Sequence, residues 1–154
     1  LRYTKKQLSK KEVLQKMASY CAYQERCLQE VNLKLFEYKL TEEENNWIIE
    51  ELVKENFIDE LRFTRNFCRG KFIYKKWGRN KIRFALKRKG ITDTYIIKGL
   101  NEIAEEDYLK TLEELLAKKK KALGEIEPFA LQKKLYAYAV NKGYEAELVH
   151  TFIG

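Results

Sequence analysis

The sequence predicts an all-α protein: three tandem three-helix repeats, helix-turn-helix-like units forming an elongated, curved molecule. Three observations carry that expectation. Breakers are scarce, with 1 Pro and 7 Gly in 154 residues, so long stretches of chain run without a stop signal. Val, Ile and Thr never cluster in alternating runs and no Asn-Gly dipeptide marks a hairpin, which leaves no strand signature. Finally, one turn pattern recurs at Lys39-Leu40-Thr41, Lys89-Gly90-Ile91-Thr92 and Lys142-Gly143-Tyr144-Glu145. In each, a helix stops, a large apolar residue fills the corner, and a capping residue or acid opens the next helix.

Setting Leu40, Ile91 and Tyr144 in register reveals the repeat. Nine residues earlier stand Val31, Ile82 and Leu135, and five earlier Leu35, Leu86 and Ala139; eight later stand Ile48, Gly99 and Phe152, and nine later Ile49, Leu100 and Ile153. These offsets place apolar residues on the inner faces of two helices flanking a turn, and a period near fifty residues marks a repeat architecture. Asn45 breaks the pattern where Ile96 and Val149 stand in the other copies.

The first repeat (9–57) opens on a capping box, Ser9-Lys10-Lys11-Glu12, followed by Val13, Met17 and Tyr20 on one face; Thr41 and Glu44 repeat the device. The second (58–106) opens on Asp59 as N-cap, followed by Leu61, Phe63 and Phe67, and Thr92 caps its last helix. The third (107–154) opens at Asp107 before Leu109, Leu112, Leu115 and Leu116; Gly124 ends that helix, and Pro128 suits the next first turn. Gly90 and Gly143 fit the left-handed position past a helix end, whereas the first copy has Tyr38-Lys39 there. Nine helices follow from this reading. A single unit buries only a small core, so neighbours pack together or share a long helix. Phe57, Ile58, Ile103 and Leu123 are the expected seams.

The chain carries 31 Lys+Arg against 23 Asp+Glu, a formal charge of +8. From 62 to 91 there are 12 basic residues and no acid, and the rest of the chain sums to −4. The positive excess therefore belongs to the first two helices of the middle repeat. Arg79, Arg83 and Lys87, spaced i, i+4, i+8, form one helical stripe, which Arg65, Arg69 and Lys76 extend from the preceding helix. These six are the candidate contact residues for a polyanion or an acidic protein groove. Phe67, Phe72, Tyr74, Trp77 and Phe84 lie among them, suited to core packing or to stacking on single-stranded bases. Lys118 to Lys121 form a second, weaker basic run.

Catalytic chemistry finds no foothold. His150 is the only histidine, Gly78 and Gly90 are isolated rather than part of a phosphate loop, and Cys21, Cys27 and Cys68 form no CxxC pair. The expectation is a protein that is not an enzyme and takes no cofactor, metal or small-molecule substrate. The odd cysteine count fits a reducing cytoplasm, and no apolar run approaches the roughly 20 residues that span a membrane. No signal peptide is visible. The chain opens at Leu1 rather than Met, which points to a native N-terminus that is trimmed or lies outside this sequence.

The succession Ile58-Asp59-Glu60, Arg62-Phe63, Trp77-Gly78-Arg79, Ile82, Leu86 and Lys89-Gly90-Ile91 resembles the core pattern of the bacterial RecX regulatory proteins, and the likeness extends over about 17–153. That resemblance implies a modulator of the RecA recombinase in DNA repair and homologous recombination. Such a protein binds RecA and the RecA–DNA filament, lying in the filament groove or at its growing end, and inhibits strand exchange and ATP hydrolysis. The competing expectation is a direct helix-turn-helix-like binder of single- or double-stranded DNA.

Overall fold

The computed structural model describes residues 7–154, and all its regular structure there is helical. Nine helices follow in order: α1 (Lys10–Tyr23), α2 (Leu28–Phe36), α3 (Glu42–Lys54), α4 (Glu60–Lys75), α5 (Arg79–Arg88), α6 (Asp93–Asn101), α7 (Glu105–Leu123), α8 (Pro128–Asn141) and α9 (Ala146–Ile153). The chain divides into two compact units, 1–63 and 64–154.

In the first unit both predicted capping boxes form. The Ser9 hydroxyl accepts the Glu12 N–H at 3.2 Å and Glu12 accepts the Ser9 N–H at 3.2 Å; Thr41 and Glu44 do the same for α3 at 3.1 and 3.0 Å. Glu30 accepts the Cys27 N–H at 3.1 Å and so opens α2. These bonds satisfy amides that a helix start leaves without a carbonyl. Helix α1 packs against α2 and α3. Val13, Met17 and Cys21, one turn apart along α1, meet Val31 and Leu35 of α2 and Ile48 and Leu52 of α3. Each such side chain contributes about 1.5–3 kcal/mol of burial. Phe57 and Ile58, expected at a seam, belong to this same core. The start of α4 is fastened to it by Arg62, whose Nε lies 2.6 Å from Glu25, and by Glu60, which accepts the Leu28 N–H at 3.1 Å. Asn45, the residue that breaks the repeat pattern, holds a buried side-chain oxygen with no hydrogen-bond partner.

In the second unit the predicted turns appear as one structure used twice. The Ile91 N–H reaches Leu86 O at 3.1 Å and the Gly90 N–H reaches Lys87 O at 3.0 Å; the Tyr144 N–H reaches Ala139 O at 3.1 Å and the Gly143 N–H reaches Val140 O at 2.9 Å. Gly90 has φ 78° and Gly143 φ 102°, so both close their helices in the left-handed region. Lys39 holds the equivalent place in the first unit with φ 54° and no glycine. The corner residues Ile91 and Tyr144 are buried, and Leu40 is half-buried. Beside them lie Ile82, Leu86, Ile96 and Leu100 in α5 and α6, Ile103 in the connection from α6 to α7, and Tyr108, Leu112, Leu116, Leu135, Ala139 and Val149 in α7–α9. Gly99 sits in the apolar register because α6 crosses α4 there: a Cβ would lie 2.9 Å from Cys68 Sγ.

Some details differ from expectation. Helix α7 starts at Glu105, which puts Asp107 inside its first turn rather than before it; the acids at 105–107 all complement the helix dipole. Thr92 occupies the N-cap of α6 but makes no side-chain capping bond, whereas Asp59 accepts the Arg62 N–H at 3.0 Å. Phe152, in register with Ile48 and Gly99, is exposed, since α9 presents Val149 to the core instead.

Candidate functional site

The basic helices α4 and α5 are joined by a turn that is locked against the turn between α8 and α9. Lys76 ends α4 with φ 58°. The chain then enters α5 through Trp77-Gly78. The Gly78 N–H donates to Lys142 O at 2.8 Å and the Asn80 N–H to Gly143 O at 2.9 Å. A Cβ on Gly78 would lie 2.3 Å from the Gly143 carbonyl carbon, and one on Gly143 would lie 2.4 Å from the Lys81 Cβ. Two glycines are needed because two backbones touch.

Around that contact stands a polar clamp. The Arg79 guanidinium pairs with Glu145 at 2.7 Å and with Glu105, and it lies over the Tyr108 ring, 3.7 Å from its centroid. Tyr108 is buried; its hydroxyl donates to Glu145 and accepts the Arg79 N–H at 3.0 Å. Its ring packs on Phe72 and Tyr144, with centroids 5.9 and 5.1 Å away. The Tyr144 hydroxyl donates to Lys76 O at 2.9 Å. Burial works against both charges, yet the Tyr108 and Arg79 hydrogen bonds hold the Glu145 carboxyl below its ordinary value, and the two carboxylates keep Arg79 above its own. Burial, together with the bond to Glu145, pushes the Tyr108 hydroxyl well up.

The six candidate cations therefore have different circumstances. Arg79 is turned inward at 20% side-chain exposure. Arg65 and Arg69 share Glu102 at 2.7 and 3.4 Å, and Lys87 meets Asp93 at 3.4 Å. Arg83 bonds the neutral Asn80 side chain, at 3.1 Å. Lys76 is exposed, its ammonium 3.4 Å from Ile73 O. Arg79, Arg83 and Lys87 thus differ in their partners: among the described residues neither Arg83 nor Lys76 pairs with a carboxylate, whereas Arg79 and Lys87 do.

A second feature lay outside the candidate set. Trp77 is half-buried edge-on to Phe67, with ring centroids 6.5 Å apart. Lys71 and Lys81 lie over Trp77 at 4.9 and 4.7 Å, and Lys71 and Lys89 over Phe67 at 5.3 and 6.0 Å. The ammonium groups themselves thus stand within cation–π range of the two rings. Phe72 is core, but Tyr74 and Phe84 are largely exposed. The sequence signal for this cluster was the interleaving of aromatics and lysines; the signal for the clamp was the acid opening both α7 and α9. Burial makes the Cys68 thiol a poor acid, its pKa pushed up to about 12. Among the described residues no group of acids, histidines and cysteines could hold a metal, and no helix is long and apolar enough to cross a membrane.

Family models match two stretches of this architecture. The second three-helix domain of RecX matches residues 59–100, and the third three-helix domain matches 105–153. The chain belongs to the RecX family. The regulatory protein RecX of Prosthecochloris aestuarii is 28% identical over 139 residues, covering 90% of this chain and 89% of the relative. That of Streptococcus uberis is 31% identical over 140 residues, covering 88% of this chain and 52% of the relative. That of Clostridium beijerinckii is 32% identical over 123 residues, covering 79% and 56%. The chain thus spans most of the first relative and about half the length of the other two. A crystal structure of RecX from Lactobacillus salivarius superposes with a TM-score of 0.86 at 21% identity, covering 94% of each chain. A second RecX crystal structure gives 0.84 at 21% identity over 93% of this chain and 70% of that one. These likenesses establish the RecX fold, and the clamp joins the two stretches that the family models match.

Proposed function

We propose that this RecX-family protein binds the RecA–DNA filament and restrains it, inhibiting recombinase action and ATP hydrolysis in the cytoplasm without performing chemistry of its own. The observation that carries the reading is the acid-free run 62–91, folded as two helices on a rigid turn, with Lys76, Lys81 and Arg83 unneutralised by any carboxylate among the described residues. A face of one sign attracts a polyanionic assembly from a distance and fixes its register at contact.

Titrating RecA's DNA-dependent ATP hydrolysis with this protein, beside its own DNA binding in the same buffer, tests the reading. Hydrolysis should collapse at protein well below the RecA concentration while free-DNA binding stays weak. A fall in hydrolysis only once the protein saturates the DNA would instead make it a competitor for DNA. That is the helix-turn-helix-like reading, which the three-helix form of the repeats favours.

A further inference from the structure

The sequence assigns the whole positive excess to α4 and α5, but the clamp brings cations of the last three helices up to them. The Lys142 ammonium, at the end of α8, donates to Lys75 O at 3.3 Å, the last carbonyl of α4. Lys75 and Lys76 are both exposed there. Back along α8, Tyr138 and Lys134 stand four and eight residues before Lys142, on one helical face. That face is about 12 Å long. Lys119 of α7 lies over the Tyr138 ring at 5.0 Å. A line of lysines therefore runs from the end of α4, across the seam, along α8 and onto the basic end of α7. None of these five lysines pairs with a carboxylate among the described residues. Most of the arginines of the basic run, by contrast, are held by Glu25, Glu102, Glu105 or Glu145.

On the footing of the filament-regulator reading, we propose that this lysine track, Lys75, Lys76, Lys142, Lys119 and Lys134, is a binding surface for a nucleic-acid backbone. Residue type decides between nucleic acid and an acidic protein. Lysine is depleted in protein interfaces, where its strongly hydrated ammonium and long stem are costly to fix. On phosphodiesters it works as a mobile point charge, and displaced counterions supply the free energy. Tyr74, 82% exposed on the last turn of α4 beside Lys75, adds a ring on which an unpaired base can stack.

The test is fluorescence anisotropy of the full chain with a fluorescein-labelled single-stranded 30-mer across a salt series, without RecA. The variant is Lys119→Gln/Lys134→Gln/Lys142→Gln. Removing three phosphate contacts should lower the slope of log affinity against log salt by about 2 and weaken binding at low salt about tenfold or more. Lys119→Gln/Lys134→Gln spares the bond to Lys75 and should lower the slope by about 1.4. Lys11→Gln/Lys16→Gln/Lys54→Gln, in the first unit, removes the same charge and should leave the slope unchanged. Circular dichroism and thermal melting confirm that each variant folds. Unchanged affinity and slope in both track variants, or an equal loss in the first-unit variant, overturns the proposal. A track variant that keeps its DNA affinity but no longer inhibits RecA overturns it in favour of an acidic protein partner, with the filament reading intact. If the parent fails to inhibit RecA while the track variants lose DNA binding as expected, the track stands and the filament reading falls.

Discussion

Truncating Arg79 to methionine leaves the Glu145 carboxylate half-buried beside Tyr108 and Glu105 without its counter-ion. The guanidinium's hydrogen bonds to charged groups and its stacking on Tyr108 go together, so Arg79→Met should cost about 2 kcal/mol. For a unit of this size that is roughly 8–16 °C in Tm, read by thermal melting. Arg79→Lys should recover only part of the loss, because one ammonium cannot serve two carboxylates and lie flat on a ring. Glu145 also makes the clamp sensitive to acid. Its folded-state pKa lies below its ordinary 4.5, so its contribution is complete above that value and disappears as pH falls through the lower folded value. The Tm of the parent should fall more steeply from about pH 5 to about pH 3 than that of Glu145→Gln. A parallel decline in both proteins would show that the clamp carries no such proton linkage.

Turns, rather than helices, distinguish the repeats at the level of elements. Gly78→Ala forces a methyl into the Gly143 backbone, where neither side can yield without parting the two turns; roughly 3 kcal/mol or more is expected. Gly90→Ala meets open space and bears only the left-handed backbone at φ 78°, so about 1 kcal/mol is expected. Lys39→Gly runs the other way. It relieves a side chain from the same backbone region at φ 54° and should stabilise the first unit by about 1 kcal/mol. Urea denaturation of the three variants gives all three signs. The helices and both capping boxes were legible because the residues that form them lie within four positions of each other: Ser9 with Glu12, Val13 with Met17, Gly90 with Ile91. The need for glycine at 78 was not, since it arises from a backbone 65 positions away in the chain, Gly143.

At the scale of the whole molecule, charge was legible as a sum and not as a surface. Counting placed 12 cations and no acid in 62–91, and the structure keeps all but Lys89, which caps the end of α5, on two helices and the turn between them. It could not tell that Glu105 and Glu145 claim Arg79, because acids at helix starts are already explained by the helix dipole. Nor could it tell that Glu102 claims Arg65 and Arg69, which lie 37 and 33 positions earlier. The distinction determines which neutralisation is informative. Changing Arg79, Arg83 and Lys87 together would weaken the clamp as well as the charge, so lost activity would have two causes. Lys76→Gln/Lys81→Gln/Arg83→Gln removes three exposed or half-exposed charges that no carboxylate among the described residues holds. It should leave the Tm within about 2 °C of the parent. At about 0.5–1 kcal/mol per contact, it should raise the protein concentration that half-inhibits RecA's ATP hydrolysis roughly tenfold or more. Raising the salt should blunt inhibition by the parent more than by the variant, because the parent has more screened contacts to lose. Inhibition by the variant at the parent's concentration and salt dependence would move the working surface off α4 and α5 altogether.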